Sequence, residues 1–188
     1  MIASETLTLF PKIPICSRAR FPTNPISCSF NSPNRTQNRL HFVRGEKRLS
    51  DLSTWGIGGP CKLFVQVFDQ RQLLTAIRYC NEQSMRYIVV GKGSNCLFDD
   101  LGFDGCVILN CIVFLEKIEP GLYRAGSGYP VNRLGFQTAS EGFTGLEFAG
   151  GIPGTVGGAV YMNAGANGQE TSEAVECVEL ITTKGEYQ

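Results

Sequence analysis

Histidine is almost absent from this 188-residue chain. The single copy, His41, lies in the basic N-terminal stretch. That leaves the rest of the protein without histidine acid–base chemistry, Cys–His nucleophiles or His-ligated metal sites. No C-x-x-C pair occurs among the eight cysteines, so a zinc site would need four scattered thiolates. Cys80, Cys106 and Cys111 sit among apolar neighbours and read as small core residues. Long hydrophobic runs are also missing: no stretch approaches 18 uncharged apolar residues, and no spanning helix is expected. Charge is sparse at 18% and sums to zero, split into +5 over residues 1–45 and −5 over residues 46–188. A mildly acidic body disfavours nucleic acid or an anionic membrane surface as its main partner. No feature specifies an oligomer.

Acidic residues are scarce in the first 45 positions, where Glu5 is the only one. That stretch holds five of the nine prolines, with Ser4, Ser17, Ser27, Ser29 and Ser32 among six basic residues. Such a composition buries too little apolar surface to offset its ordering entropy. It reads as a disordered organelle transit peptide. A plastid is favoured over a mitochondrion because amphipathic helical spacing is lacking. Pro11 and Pro14 break the apolar piece from Leu7 to Ile15, which argues against a secretory signal.

The body reads as α+β. Residues 62–68 are apolar at nearly every position, as in a largely buried strand. Asp69 then offers a helix N-cap, with Gln72 at the capping-box position and Leu73, Ile77 and Cys80 on one stripe. Residues 87–90 form a short apolar strand, which predicts a βαβ unit and a parallel pair. Further strands are expected over residues 106–109 and 122–125. A helix is expected from near Pro130 to Gly142.

Two glycine-rich segments carry the chemistry. Gly91-Lys92-Gly93-Ser94-Asn95 follows the 87–90 strand. Glycines there allow positive φ and present successive N–H groups to an anion, while Lys92, Ser94 and Asn95 add charge and side-chain donors. Neither a dinucleotide fingerprint nor a P-loop is present, since Cys96 replaces the third glycine and no Gly-Lys-Ser/Thr ends the loop. From Gly150 to Gly168 the chain reads GGIPGTVGGAVYMNAGANG, seven glycines in 19 residues. The apolar residues between them distinguish this run from a polar linker. Backbone passing close to a flat or charged ligand accounts for it.

These residues resemble a known family. Gly145 to Ala159, followed by Asn163-Ala164-Gly165-Ala166, is similar to UDP-N-acetylenolpyruvoylglucosamine reductase, also called UDP-N-acetylmuramate dehydrogenase. Thr54-Trp55-Gly56-Ile57-Gly58-Gly59 fits that family's opening motif, with Ser53 in place of asparagine. The three motifs cover about residues 50–188 and none of the first 45. The resemblance implies an FAD-binding fold of the p-cresol methylhydroxylase and vanillyl-alcohol oxidase type. Its small α/β lobe would span 46–112 and its second α+β lobe 113–188, incomplete at the C-terminus. By motif, Gly91, Lys92, Gly93, Ser94 and Asn95 would hold the diphosphate of non-covalent FAD. Gly151, Ile152, Pro153, Gly154, Thr155, Gly157 and Gly158 would line the diphosphate and flavin, with Asn163 and Gly165 supporting that wall. The implied reaction uses NADPH to reduce the enolpyruvyl group of a UDP-sugar, making a peptidoglycan precursor. The family's catalytic arginine, serine and glutamate segments are missing from these 188 residues. No catalytic residue and no metal ligand is therefore assigned, and the chain is expected to be a truncated, inactive FAD-binding part. Two alternatives stay open: an oxidase or dehydrogenase of the same fold acting on an alcohol, lactone or hydroxy acid, and a non-enzymatic remnant.

Overall fold

The computed structural model describes residues 40–186, and residues 6–10 as backbone. The first lobe is a four-stranded sheet in the order β2-β3-β5-β4. Its strands are β2 (Phe42–Arg44), β3 (Cys61–Val67), β4 (Tyr87–Val90) and β5 (Phe103–Asn110). Helix α1 (Gln70–Glu82) covers one face. The other face is closed by Leu49 and the chain that follows it, packed with Cys61, Phe64 and Val107. Leu63, Val65 and Val67 of β3 pack with Leu73, Ala76, Ile77 and Cys80 of α1 in the α1-side core. Because β3 is covered on both faces at its centre, Leu63, Phe64 and Val65 are all buried, with the exposed Lys62 and Gln66 on either side.

The Asp69 carboxylate accepts from the Gln72 amide at 2.8 Å, the expected cap, a contact of about 1 kcal/mol. Gln72 Oε1 reaches one residue further back than a standard capping box, accepting from the Phe68 amide. Strands β3 and β4 are parallel, as the βαβ pattern implies, but they do not touch. Strand β5 enters between them and pairs with both. Alternation of strand and helix fixes strand direction, whereas the choice of neighbour depends on where a later strand fits. Strand β5, buried from Gly105 to Ile108, takes the central place.

The second lobe carries β6 (Leu115–Glu119), β7 (Leu122–Ala125), α2 (Val131–Ser140), α3 (Val156–Tyr161), the short hairpin β8 (Gly165–Ala166) and β9 (Gln169–Glu170), α4 (Thr171–Ala174) and β10 (Cys177–Ile181). Its core gathers Tyr123, Val131, Leu134, Phe148, Val156 and Ala159. The sheet runs β10-β1-β7-β6, with β1 (Thr6–Phe10) antiparallel to both neighbours. The 124–126 end of this lobe meets the first lobe through Asn110, and β10 also bridges the two. Ile181 enters the α1-side core, and the turn after it accepts from Asn81 and Arg78 on α1.

The structure corrects the reading of residues 1–45 as a disordered segment. Phe42–Arg44 pair with Leu63–Val65 of β3, so the folded body begins by Leu40. Backbone 6–10 is also in a sheet; the remainder of the expected transit peptide lies outside the described residues. The helix expected from Pro130 to Gly142 is α2, with Pro130 as its N-cap rather than its first helical residue. Gly142 ends it at φ +86°.

Candidate functional site

The two glycine segments come together at the junction of the lobes. A methyl group on Gly91 would lie 2.5 Å from Thr155 Oγ1, and one on Gly154 would lie 3.8 Å from Ser94 Oγ. The loop after β4 and the segment entering α3 therefore pack directly against each other. Val156 donates its amide to the Tyr129 carbonyl and Gly157 to the Ser127 carbonyl, which fixes the second segment against the 126–130 turn.

The first loop is fixed from its other side. Gly93 has φ +65°, and a Cβ there would fall 1.6 Å from the Leu52 carbonyl oxygen. The Thr54 amide and hydroxyl both donate to the Gly93 carbonyl, at 3.2 Å each, and Ser53 Oγ donates to the Cys96 carbonyl at 2.7 Å. These bonds pin the loop against residues 52–54. Among the described residues nothing accepts a hydrogen bond from the amides of Lys92, Gly93, Ser94, Asn95, Gly154 or Thr155. Gly93 and Thr155 are buried residues, and amides in such positions ordinarily find an acceptor. Convergent unpaired amides suit an anion such as a diphosphate. Burial raises the Cys96 thiol above its ordinary value, keeping it neutral and adding no negative charge beside these donors.

Not every glycine of the second segment serves the fold. Gly165 could not carry a Cβ without meeting the Gln169 carbonyl oxygen at 2.5 Å. Gly151, by contrast, has nothing within 4 Å of a Cβ, Gly150 meets only the Phe136 ring at 3.6 Å, and none of Gly150, Gly151 and Gly154 has a left-handed φ. The fold admits alanine at these positions. Glycine there keeps the backbone bare toward open space, as a flat ligand lying on it requires.

The predicted site residues divide into two groups. Gly91, Lys92, Gly93, Ser94 and Asn95 lie together with Gly151, Ile152, Pro153, Gly154, Thr155, Gly157 and Gly158 on the two apposed segments. Of these, Thr155 is the α3 N-cap, accepting from the Gly158 amide at 3.3 Å, and Ile152 packs on the second core. Asn163 and Gly165 lie beside and in the β8–β9 hairpin and have work there. Asn163, at φ +44°, donates from Nδ2 to Glu170 and accepts from the Ser172 amide.

Sequence reasoning missed a third piece. Ala125-Gly126-Ser127-Gly128 is buried throughout, at the 124–126 end of the second lobe. Asn110, at the end of β5, donates from Nδ2 to Ser127 Oγ at 2.7 Å and accepts from the Ile112 amide. A Cβ on Gly126 or Gly128 would collide with backbone at Ile112 or Asn110. This contact sets the lobe spacing that brings Thr155 to Gly91. The available signal was a Gly-Ser-Gly between two apolar runs.

Comparison with known proteins agrees with this geometry. A family model described as the FAD binding domain matches residues 61–188. The UDP-N-acetylenolpyruvoylglucosamine reductase of Protochlamydia amoebophila is 49% identical over 137 residues, 73% of this chain and 46% of that protein. That of Chlamydia abortus is 45% identical over 144 residues, covering 77% and 49%. Among solved structures, UDP-N-acetylenolpyruvylglucosamine reductase from Thermus caldophilus superposes with a TM-score of 0.64 at 34% identity, over 80% of this chain and 51% of that one. The chain thus spans about half the length of these relatives. Its two-lobed α+β architecture is the FAD-binding type that the motifs implied.

Proposed function

Since the chain belongs to the FAD binding domain family over residues 61–188, we propose that it is the FAD-holding part of a UDP-N-acetylenolpyruvoylglucosamine reductase. The observation that carries this reading is the set of unpaired amides where residues 92–95 face Gly154 and Thr155. An anion fits those donors, and a planar group fits the bare backbone at Gly150, Gly151 and Gly154, so the residues present suit a flavin dinucleotide.

In this reading the amides of Lys92 to Asn95, with Gly154 and Thr155, hold the diphosphate, and Ser94 Oγ adds a donor. Gly150 to Gly154 form the wall against the ring. When bound, FAD supplies hydride transfer to the enolpyruvyl double bond of the UDP-sugar, with NADPH as the source of reducing equivalents. The Ser53 and Thr54 hydrogen bonds hold the donors in place before the cofactor arrives. Within these 188 residues the reading assigns cofactor binding and no catalytic residue. The Ser- and Arg-rich N-terminal segment is a plastid address in the same reading, with the mitochondrion as the alternative. Phe42–Arg44, paired with β3, belong to the folded body in this reading.

The purified chain is expected to take up FAD at a ratio near one, released on acid precipitation. Flavin that stays attached to precipitated protein would favour an oxidase of the same fold with a covalent cofactor. A cooperatively folded chain that takes up no flavin would overturn the reading.

A further inference from the structure

The second sheet takes an inner strand from far away in the chain. Strands β7 and β10 do not pair with each other; β1 lies between them, antiparallel to both. Paired strands sit about 4.8 Å apart, so β7 and β10 are separated by about 10 Å, too far to bond directly. Without a strand in that space their facing N–H and C=O groups would lose their partners. Helix α3, capped by Thr155, lies alongside the same strand. Whatever fills the space therefore also supports the helix that the second glycine segment enters.

Residues 6–10 join the folded body only through residues 11–39. They belong to the stretch whose composition reads as an address, yet their pattern suits the space. Thr6-Leu7-Thr8-Leu9-Phe10 alternates in the period of a strand, and Pro11, which has no amide to donate, follows at once. The register sets position 7 opposite Leu180, position 8 opposite Glu179, and position 9 opposite both Val178 and Ala125. Ala125 is buried and Val178 packs on the second core. Directly opposed residues share a face, so the two leucines occupy positions on the core face of the sheet.

We propose that the space between β7 and β10 is a strand-binding slot, and that residues 6–10 fill it as a detachable strand supplied from within the address segment. Separation of that segment from the body opens the slot to an extended peptide with the same apolar alternation. This role is independent of whether the glycine segments take FAD.

Position 10 lies directly opposite Cys177, an exposed free thiol. Opposed Cα atoms in antiparallel strands are about 4.5–5.5 Å apart, within the reach of a disulfide. In the full chain, Phe10→Cys should therefore cross-link to Cys177 on mild oxidation with diamide, as read by non-reducing peptide mapping. Leu9→Cys, on the opposite face, should leave Cys177 uncaptured. The second arm places a protease site between Pro11 and Leu40 of the full chain. After cleavage the N-terminal fragment should stay with the body in gel filtration, and a labelled peptide of residues 5–11 should displace it. The same peptide carrying Leu9→Pro should compete about fivefold less well, the effect of one lost ladder hydrogen bond. No cross-link from Phe10→Cys, or an equal one from Leu9→Cys, would overturn the proposal. So would a cleaved fragment that falls away and leaves the melting temperature of the body unchanged, because the space would then need no strand.

Discussion

Gly151→Ala separates what the fold needs from what the ligand needs. A Cβ at this position has nothing within 4 Å, and the backbone is outside the left-handed region. Alanine therefore meets no clash in the free protein. Restricting the unfolded chain should stabilise it by about 0.4–1 kcal/mol. For a chain of this size that raises the melting temperature by about 1–4 °C. With ligand bound, the methyl intrudes on a surface argued to be covered. Overfilling a packed contact costs about 1–3 kcal/mol, or roughly 5- to 150-fold in FAD affinity. The expected signature is a protein with an unchanged or higher melting point that binds FAD poorly. Differential scanning calorimetry without flavin and an equilibrium titration with it give the two numbers. Gly93→Ala is the contrast, because the clash with the Leu52 carbonyl and φ +65° should destabilise the free protein as well. If Gly151→Ala binds FAD as tightly as wild type, the bare backbone is not there for the cofactor.

Two further outcomes follow from the supporting structure. Ser127→Ala leaves Asn110 Nδ2 buried without its acceptor and should cost about 1–3 kcal/mol in urea unfolding, with FAD affinity falling as the lobes shift. Wild-type stability in that variant would mean the Asn110–Ser127 contact does not set the lobe spacing. Burial alone would raise the Glu141 carboxyl, but hydrogen bonds from Lys117, Tyr123 and Gln137 outweigh it and hold the pKa below its ordinary value. A depressed carboxylate contributes stability above its unfolded pKa of about 4.3, and that contribution is lost as pH falls through the lower folded value. Glu141→Gln should therefore be less stable than wild type at pH 7 and converge with it in acid. A stability gap that persists unchanged at pH 2.5 would contradict the assignment.

Much of this was legible in the chain because it is local. The β3 run, the Asp69 cap, the α1 stripe and the Gly142 stop each arise within a few residues, and each appears where the pattern puts it. Both glycine segments stand out because composition alone sets them apart from linkers. What escaped depends on contacts across the fold. The entry of β5 between β3 and β4 is decided by which strand is buried on both faces. The Ser127–Asn110 contact joins residues 17 apart in sequence, and Ser127 looks like an ordinary turn residue until β5 ends beside it. Asn163 had the reverse fate. Its motif has it supporting the flavin wall, and both ends of its amide are used locally, by Glu170 and Ser172. A composition rule also misplaced the start of the body, since Phe42–Arg44 pair with β3 despite following a proline- and serine-rich stretch.

Hydrogen exchange of the full chain with and without FAD tests the central claim, that the two glycine segments form one cofactor site. The amides of Lys92 to Asn95 and of Gly154 and Thr155 have no acceptor among the described residues, so they should exchange fast in the free protein. Both sets should slow together when FAD is added, while the 163–171 hairpin changes little. FAD binding that protects the hairpin, or only one of the two segments, would contradict the account.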